Sequence, residues 1–319
     1  NVSGSAIKTW NFSGRNISII CDYVGQRSLE YNAQYSNLLI TGTINNFNWK
    51  SVSTQPYLGI ISPYQGSDFT IINFYDSPQI NTFLSIEGTT LESKVTIENA
   101  NIQYARSLTN RFNGDFIINN LIHLGTSTTN WVMHQGNNGL KQVFKKIDYR
   151  GNITINALYI LFEKCTMSST ATILIGSAVS SACTFEGELI SDNYINGSMD
   201  APKVFKNFKG KVRELKMGAA AILTIENSNI ETYDYLTSRE ASSTIVQNIS
   251  FLGFNTINRT NPTASGLFRA HSWASNPTVS PKPVTVNIRG AIKTNSTTFG
   301  ALVTAVYLDA TFKEKVKEV

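Results

Sequence analysis

The sequence predicts an all-β chain wound as a right-handed parallel β-helix, a solenoid in which each coil of strands stacks on the one before. Three observations predict it: short period-2 strands bracketed by turn residues, a recurring corner ending in glycine, and a long internal echo.

The strands come first. Alternation of apolar and polar residues recurs in Ile17-Ser-Ile19, Val95-Thr-Ile97, Ile153-Thr-Ile155, Leu223-Thr-Ile225 and Val284-Thr-Val286-Asn-Ile288. That period sends one side-chain face inward and the other to water, which is the strand signature. Helical periodicity is almost absent. The corners follow: an aromatic or aliphatic residue, any residue, then glycine leads into a strand at Phe12–Gly14, Ile40–Gly42, Phe112–Gly114, Tyr149–Gly151, Phe185–Gly187, Phe208–Gly210 and Ile288–Gly290. Glycine suits a corner where φ is positive or where a Cβ would clash. Gly14 to Gly42 is 28 residues and Gly187 to Gly210 is 23, each the size of one coil; Gly114 to Gly151 to Gly187 gives 37 and 36, a coil plus a loop. The echo is Thr96-Ile-Glu-Asn99-Ala-Asn-Ile102, repeated as Thr224-Ile-Glu-Asn227-Ser-Asn-Ile230. Asparagines at such positions stack into ladders of side-chain amides.

The alternative architecture is an antiparallel β-sandwich, which also has many short strands. It leans on Asn-Gly hairpin turns. Three Asn-Gly pairs occur, at Asn113, Asn138 and Asn196, and the first belongs to the recurring corner. The β-helix reading divides the chain into a cap or linker over 1–11, a body over 12–310 and a tail over 311–319 leading to a missing segment. The body has loop excursions near 125–139 and 261–283. The tail, with its Lys-Glu-Lys-Val-Lys-Glu run, is the one stretch expected to be helical or coiled. The chain starts at Asn1 rather than Met, as expected of a processed or excised piece.

Composition narrows the function classes. Of 319 residues, 41% are apolar and only 15% charged, while Asn, Ser and Thr number 33, 32 and 32. The surface is therefore wet but weakly charged. The net charge is +5, with basic residues scattered apart from short clusters such as Lys203–Lys216 and Lys313–Lys317; an ordinary solvated surface accounts for it, and beyond that it mildly favours anionic partners through steering. Nucleic-acid signatures are missing. The longest apolar runs, Ala219–Ile225 and Ala301–Leu308, are strand-sized, so membrane insertion is not expected. Eight Asn-x-Ser/Thr sequons match the number of about seven that this composition gives by chance.

Candidate chemistry is sparse. Cys21, Cys165 and Cys183 form no CxxC pattern and do not pair with His123, His134 or His271 at ligand spacing, so neither a metal site nor a cofactor is expected. Acidic clusters suited to calcium, a Gly-x-Ser-x-Gly nucleophile turn and phosphate-cradling glycine loops are lacking. Glu186 and Glu188 flank Gly187 on one side of a strand, at a spacing suited to a glycan-cleaving carboxylate pair, with Asp192 and Asp234 in nearby turns. Equally, an exposed strand must carry polar residues of some kind. Aromatics are the stronger lead: Trp131, Trp273, Tyr233 and Tyr235 lie in expected turns or loops. Their rings either stack on sugars or cover coil corners.

With these corners and the Thr-Ile-Glu-Asn echo, the chain resembles β-helical appendage proteins of bacteriophages: tailspikes, tail fibres and related receptor-binding proteins. The resemblance is one of style over residues 12–310. It implies a homotrimer in the virion tail, contact with other virion proteins and with host-surface polysaccharide, and in some members glycan cleavage. The expected function is a structural, receptor-binding component; the alternatives are a β-helical glycan depolymerase and a bacterial surface adhesin in an extracellular location. Trimerisation also follows from the chain's own residues. The runs Ala219–Ile225 and Ala301–Leu308 are more apolar than half-exposed strands require, and Phe312 and Val316 share one helix face.

Overall fold

The period-2 segments all become strands. The computed structural model describes residues 8–21, 33–51, 57–75, 82–88, 93–102, 108–112, 115–123, 131–134, 142–150, 153–156, 159–169, 171, 173–175, 183–199, 201–218, 222–239, 246–261, 266–272, 282–308 and 317–318. Among them no helix occurs. The fold is all-β, and every pairing whose register is described is parallel. The antiparallel hairpins of a sandwich are absent from these pairs. Asn196-Gly197, a hairpin candidate, instead lies inside a strand paired in parallel.

Residue contacts cluster into two units, Asn1–Ala171 and Thr172–Val319. The first carries β1 (Lys8–Asn11), β2 (Arg15–Cys21), β3 (Ala33–Ser51), β4 (Tyr57–Pro63), β5 (Asp68–Tyr75), β6 (Thr82–Gly88), β7 (Lys94–Ile102), β8 (Leu108–Phe112), β9 (Asp115–His123), β10 (Trp131–His134), β11 (Gln142–Tyr149), β12 (Ile153–Asn156) and β13 (Tyr159–Met167). Strands β1 and β2 both pair with the long β3. From there odd strands pair with odd and even with even, β5 with β7 and β6 with β8. The second unit carries β14 (Ile173–Ile175), β15 (Cys183–Ser191), β16 (Ile195–Met199), β17 (Lys203–Met217), β18 (Ile222–Glu226), β19 (Asn229–Thr232), β20 (Thr237–Arg239), β21 (Gln247–Arg259), β22 (Phe268–Ser272), β23 (Val284–Thr294), β24 (Val303–Tyr307) and β25 (Lys317–Glu318).

Parallel register stacks like on like. In the first unit Ile44, Ile71, Ile97, Ile118, Phe144 and Phe162 lie in one buried column, each opposite the next. In the second, Phe185, Phe205, Ile225, Phe251 and Ile288 do the same. The rings of Phe185 and Phe205 stack at 5.0 Å. Each such side chain contributes about 1.5–3 kcal/mol when taken out of water. On the polar side of the first unit a ladder of amides runs through five strands. Asn46 Nδ2 donates to Asn16 Oδ1 at 2.7 Å, Asn73 to Asn46 at 3.0 Å, Asn99 to Asn73 at 3.2 Å and Asn120 to Asn99 at 2.8 Å. Asn99 thus stands in the ladder expected of the echo. Its counterpart Asn227 takes another role: it sits at φ +46°, and its Oδ1 accepts from the Phe254 amide at 3.0 Å.

The glycine corners divide into two kinds. Gly187 and Gly253 have φ of +90° and +69°, and Asn207 in β17 and Asn227 between β18 and β19 are left-handed too, at +48° and +46°. Gly210 is different: a Cβ there would meet the Phe208 ring at 2.7 Å, so close packing rather than backbone conformation demands glycine. Gly114 and Gly151 lie outside the described residues.

Other expectations meet the structure unevenly. The 125–139 excursion contains β10, and the 261–283 excursion contains β22. In the 311–319 tail, Lys317–Glu318 forms strand β25 against Lys293–Thr294; the rest of the tail, Phe312 and Val316 included, lies outside the described residues. Cys165 and Cys183 are buried and form no disulfide. Burial pushes both thiols up to about 12.

Two predictions follow from this packing. Asn73 accepts one ladder bond and donates to Asn46 Oδ1 and to the Asn45 carbonyl. Asn73→Ala is expected to lower unfolding free energy by about 1–3 kcal/mol, read as a shifted denaturant midpoint with an unchanged slope. For the thiols, the unfolded chain ionises near the ordinary 9.0 and the folded chain near 12. Their contribution to stability is therefore complete below pH 9.0 and is lost as pH rises toward 12. The natural chain should lose stability more steeply over that window than a Cys165→Ala, Cys183→Ala variant.

Candidate functional site

Strand β17 is the spine of the most built surface in the second unit. It carries the basic run seen in the sequence, and its outward residues alternate with buried ones. Parallel pairing sets each outward residue beside one about a repeat away on the flanking strands, and at these places the neighbour is acidic. Lys206 Nζ lies 3.2 Å from Glu226, Lys209 2.6 Å from Glu188, Lys211 3.1 Å from Glu231, and Arg213 3.5 Å from Asp234. On the same strand Glu214 lies 3.5 Å from Arg269. Exposed pairs of this kind contribute only about 0–1 kcal/mol each. Their effect is on the field: Lys206, Lys209, Lys211 and Arg213 are neutralised where they stand.

Between β15, β17 and β19, two of these pairs, Lys209–Glu188 and Lys211–Glu231, line an open groove of about 390 Å³. Glu188, Lys209, Lys211, Asn229 and Glu231 form its polar wall, and Ile190, 59% exposed, stands on its lip. Lys211 connects the groove to an aromatic stack. Its Nζ is 5.6 Å from the centre of the Tyr194 ring. Tyr194 meets Tyr233 edge-on at 6.1 Å, and the Arg213 guanidinium lies 4.6 Å over the Tyr233 ring. Tyr194 Oη and Thr260 Oγ1 share a hydrogen bond of 2.9 Å. Asn261 Nδ2 donates to Asp234, whose other oxygen faces Arg213. Tyr233 is therefore held by a cation, a ring and a braced turn while keeping 39% of its surface exposed. Its orientation is set before anything binds, which lowers the entropy cost of binding. A few residues on, Arg269 lies 5.5 Å over Tyr235.

The sequence-chosen residues are dispersed by the fold. Gly187 turns the strand between Glu186 and Glu188, where the register shifts. Glu186 accepts a 3.4 Å bond from Asn207 Nδ2 outside the groove, while Glu188 lines it and holds Lys209. The two carboxylates therefore do not share the groove. Asp234 is engaged with Arg213 and Asn261, and Asp192 stands exposed in the turn before Tyr194. Tyr233 belongs to the stack. Trp131 lies in β10, in the other unit, and Trp273 lies outside the described residues. No group of three or more His, Cys, Asp or Glu suited to a metal occurs among the described residues. Among the described residues no helix is long and apolar enough to cross a membrane.

Comparison with protein-family models, curated proteins and solved structures finds no match. The surface must be read from its own chemistry. Tyr194, Lys211 and Arg213 escaped the sequence reading. Their signal was present as spacing: Lys209 follows Glu188 by 21 residues, Arg213 precedes Asp234 by 21, and Tyr194 precedes Tyr233 by 39, about one or two repeats.

Proposed function

We propose that the strands of each unit wind as a right-handed parallel β-helix, and that the chain is a structural and receptor-binding component of a bacteriophage tail appendage that contacts host-surface glycan. It acts outside the cell, on the virion. The fold part of the reading is supported by the parallel pairing at intervals near one coil, by the Asn ladder and by the buried columns.

The binding part rests on one observation: the braced, half-open Tyr233 ring beside the groove of ion-paired residues. A sugar ring has an apolar C–H face and a rim of hydroxyls. An immobilised aromatic face takes the first, and carboxylate, ammonium and amide groups at hydrogen-bonding distance take the second. Glu188 is held by Lys209 and Glu186 lies outside the groove, which favours binding without cleavage over a depolymerase. Assembly as a homotrimer is supported by β24 and its flanks: Val306 on the strand and Leu302 and Leu308 beside it are exposed apolar residues, and among the described residues β24 pairs with β23 alone. An apolar edge of this kind needs cover.

Two outcomes are expected. On an array of bacterial surface glycans the chain retains specific polymers, Tyr233→Ala weakens retention by about tenfold, and no new reducing ends appear. Retention of no glycan at all would remove the receptor role. In light scattering at micromolar concentration the chain should run at three times the 35.2 kDa protomer mass; a single-protomer mass, unchanged on dilution, would sink the trimer.

A further inference from the structure

We infer that the glycan taken by this surface is electrically neutral, a polyhydroxyl chain without carboxylate, sulfate or phosphate groups. The inference rests on the glycan-binding reading above and deepens it. The basic run on β17 taken alone points the other way, toward a polyanion. The neighbouring strands overturn that. The ion-paired side chains around the groove and the tyrosine stack are four cations, Lys209, Lys211, Arg213 and Arg269, and four anions, Glu188, Glu231, Asp234 and Glu214, so the charges of these pairs cancel. Each cation already has its carboxylate within 3.5 Å.

An acidic sugar would have to displace those carboxylates or lie beside them. At such separations the repulsion from the carboxylate is as large as the attraction to its cation, so the ligand's charge gains nothing for its lost hydration. A hydroxyl meets no such conflict. It can donate to a carboxylate lone pair left over from the ion pair and accept from an N–H that the pair does not use, since an ammonium has three donors and a guanidinium five. Donors on Lys209 and Lys211, flanked by acceptors on Glu188 and Glu231, match a chain of hydroxyls. Tyr233 and the exposed Ile190 offer apolar surface for the sugar's C–H faces.

The full chain is titrated calorimetrically with neutral probes (mannan, galactomannan and glucan oligosaccharides) and acidic ones (polygalacturonate and heparin) at low salt and at about 0.15 M. The expected result is binding of a neutral probe, with a Kd that changes less than about twofold with salt and is weakened by Tyr233→Ala. Polygalacturonate should bind about tenfold more weakly or not at all. Glu188→Gln uncovers Lys209 and should create polygalacturonate binding that salt abolishes. Preferential binding of an acidic probe by the natural chain, weakened by salt, would overturn the neutral class and leave the glycan-binding reading standing. Binding of no probe in either class would overturn both.

Discussion

Parallel pairing between residues one repeat apart is the constraint on which the rest of the structure depends. Each strand meets its backbone partners on strands that follow or precede it in the chain, at intervals that run from 17 residues between Ile195 and Val212 to 37 between Ile249 and Val286. In a parallel ladder, equivalent positions lie directly over one another. Whatever a strand presents, its neighbour must accept at the same place. Isoleucine and phenylalanine stack into columns inside; asparagine stacks on asparagine outside.

The same rule explains why the charged surface is quiet. Like charges in one column would repel along the ladder, so Lys206, Lys209 and Lys211 of β17 face acids on a neighbouring strand, while Lys203 and Lys216 face uncharged residues. The salt bridges of the second unit obey this, and the first unit repeats it where Lys145 lies 3.0 Å from Glu163. A stacking requirement thus decides an electrostatic property. The basic character visible along one stretch of chain disappears once the repeat brings its neighbours alongside.

Corners add the second constraint. A left-handed residue recurs at matching positions along neighbouring parallel strands, glycine at Gly187 and Gly253 and asparagine at Asn207 and Asn227. Asparagine tolerates the conformation and offers a side chain to the next pass, as Asn227 does toward the Phe254 amide. Where the glycine is not at the turn, as at Gly210, a packed ring explains it. One residue type therefore answers two demands, and the recurring corner motif alone does not tell them apart.

The strand content, the absence of helical pattern and the stacking role of Asn99 were legible in the sequence, because period-2 alternation and amide ladders are local or repeat-encoded properties. The interval between repeats was only partly legible: Gly187 and Gly210, 23 residues apart in the sequence, do not lie opposite one another, and Gly187 faces Phe208 instead. What the tertiary structure alone decided is which outward residues meet. Glu186 and Glu188 are two apart in sequence, and a left-handed glycine between them sends one into the groove and leaves the other outside it. Tyr194, Arg213 and Tyr233 are about a repeat apart in sequence and become one stack. Sequence distance along a strand is fixed by covalent geometry, but contact across strands is fixed by register. Register depends on loop lengths and bulges whose cost no short stretch of residues declares.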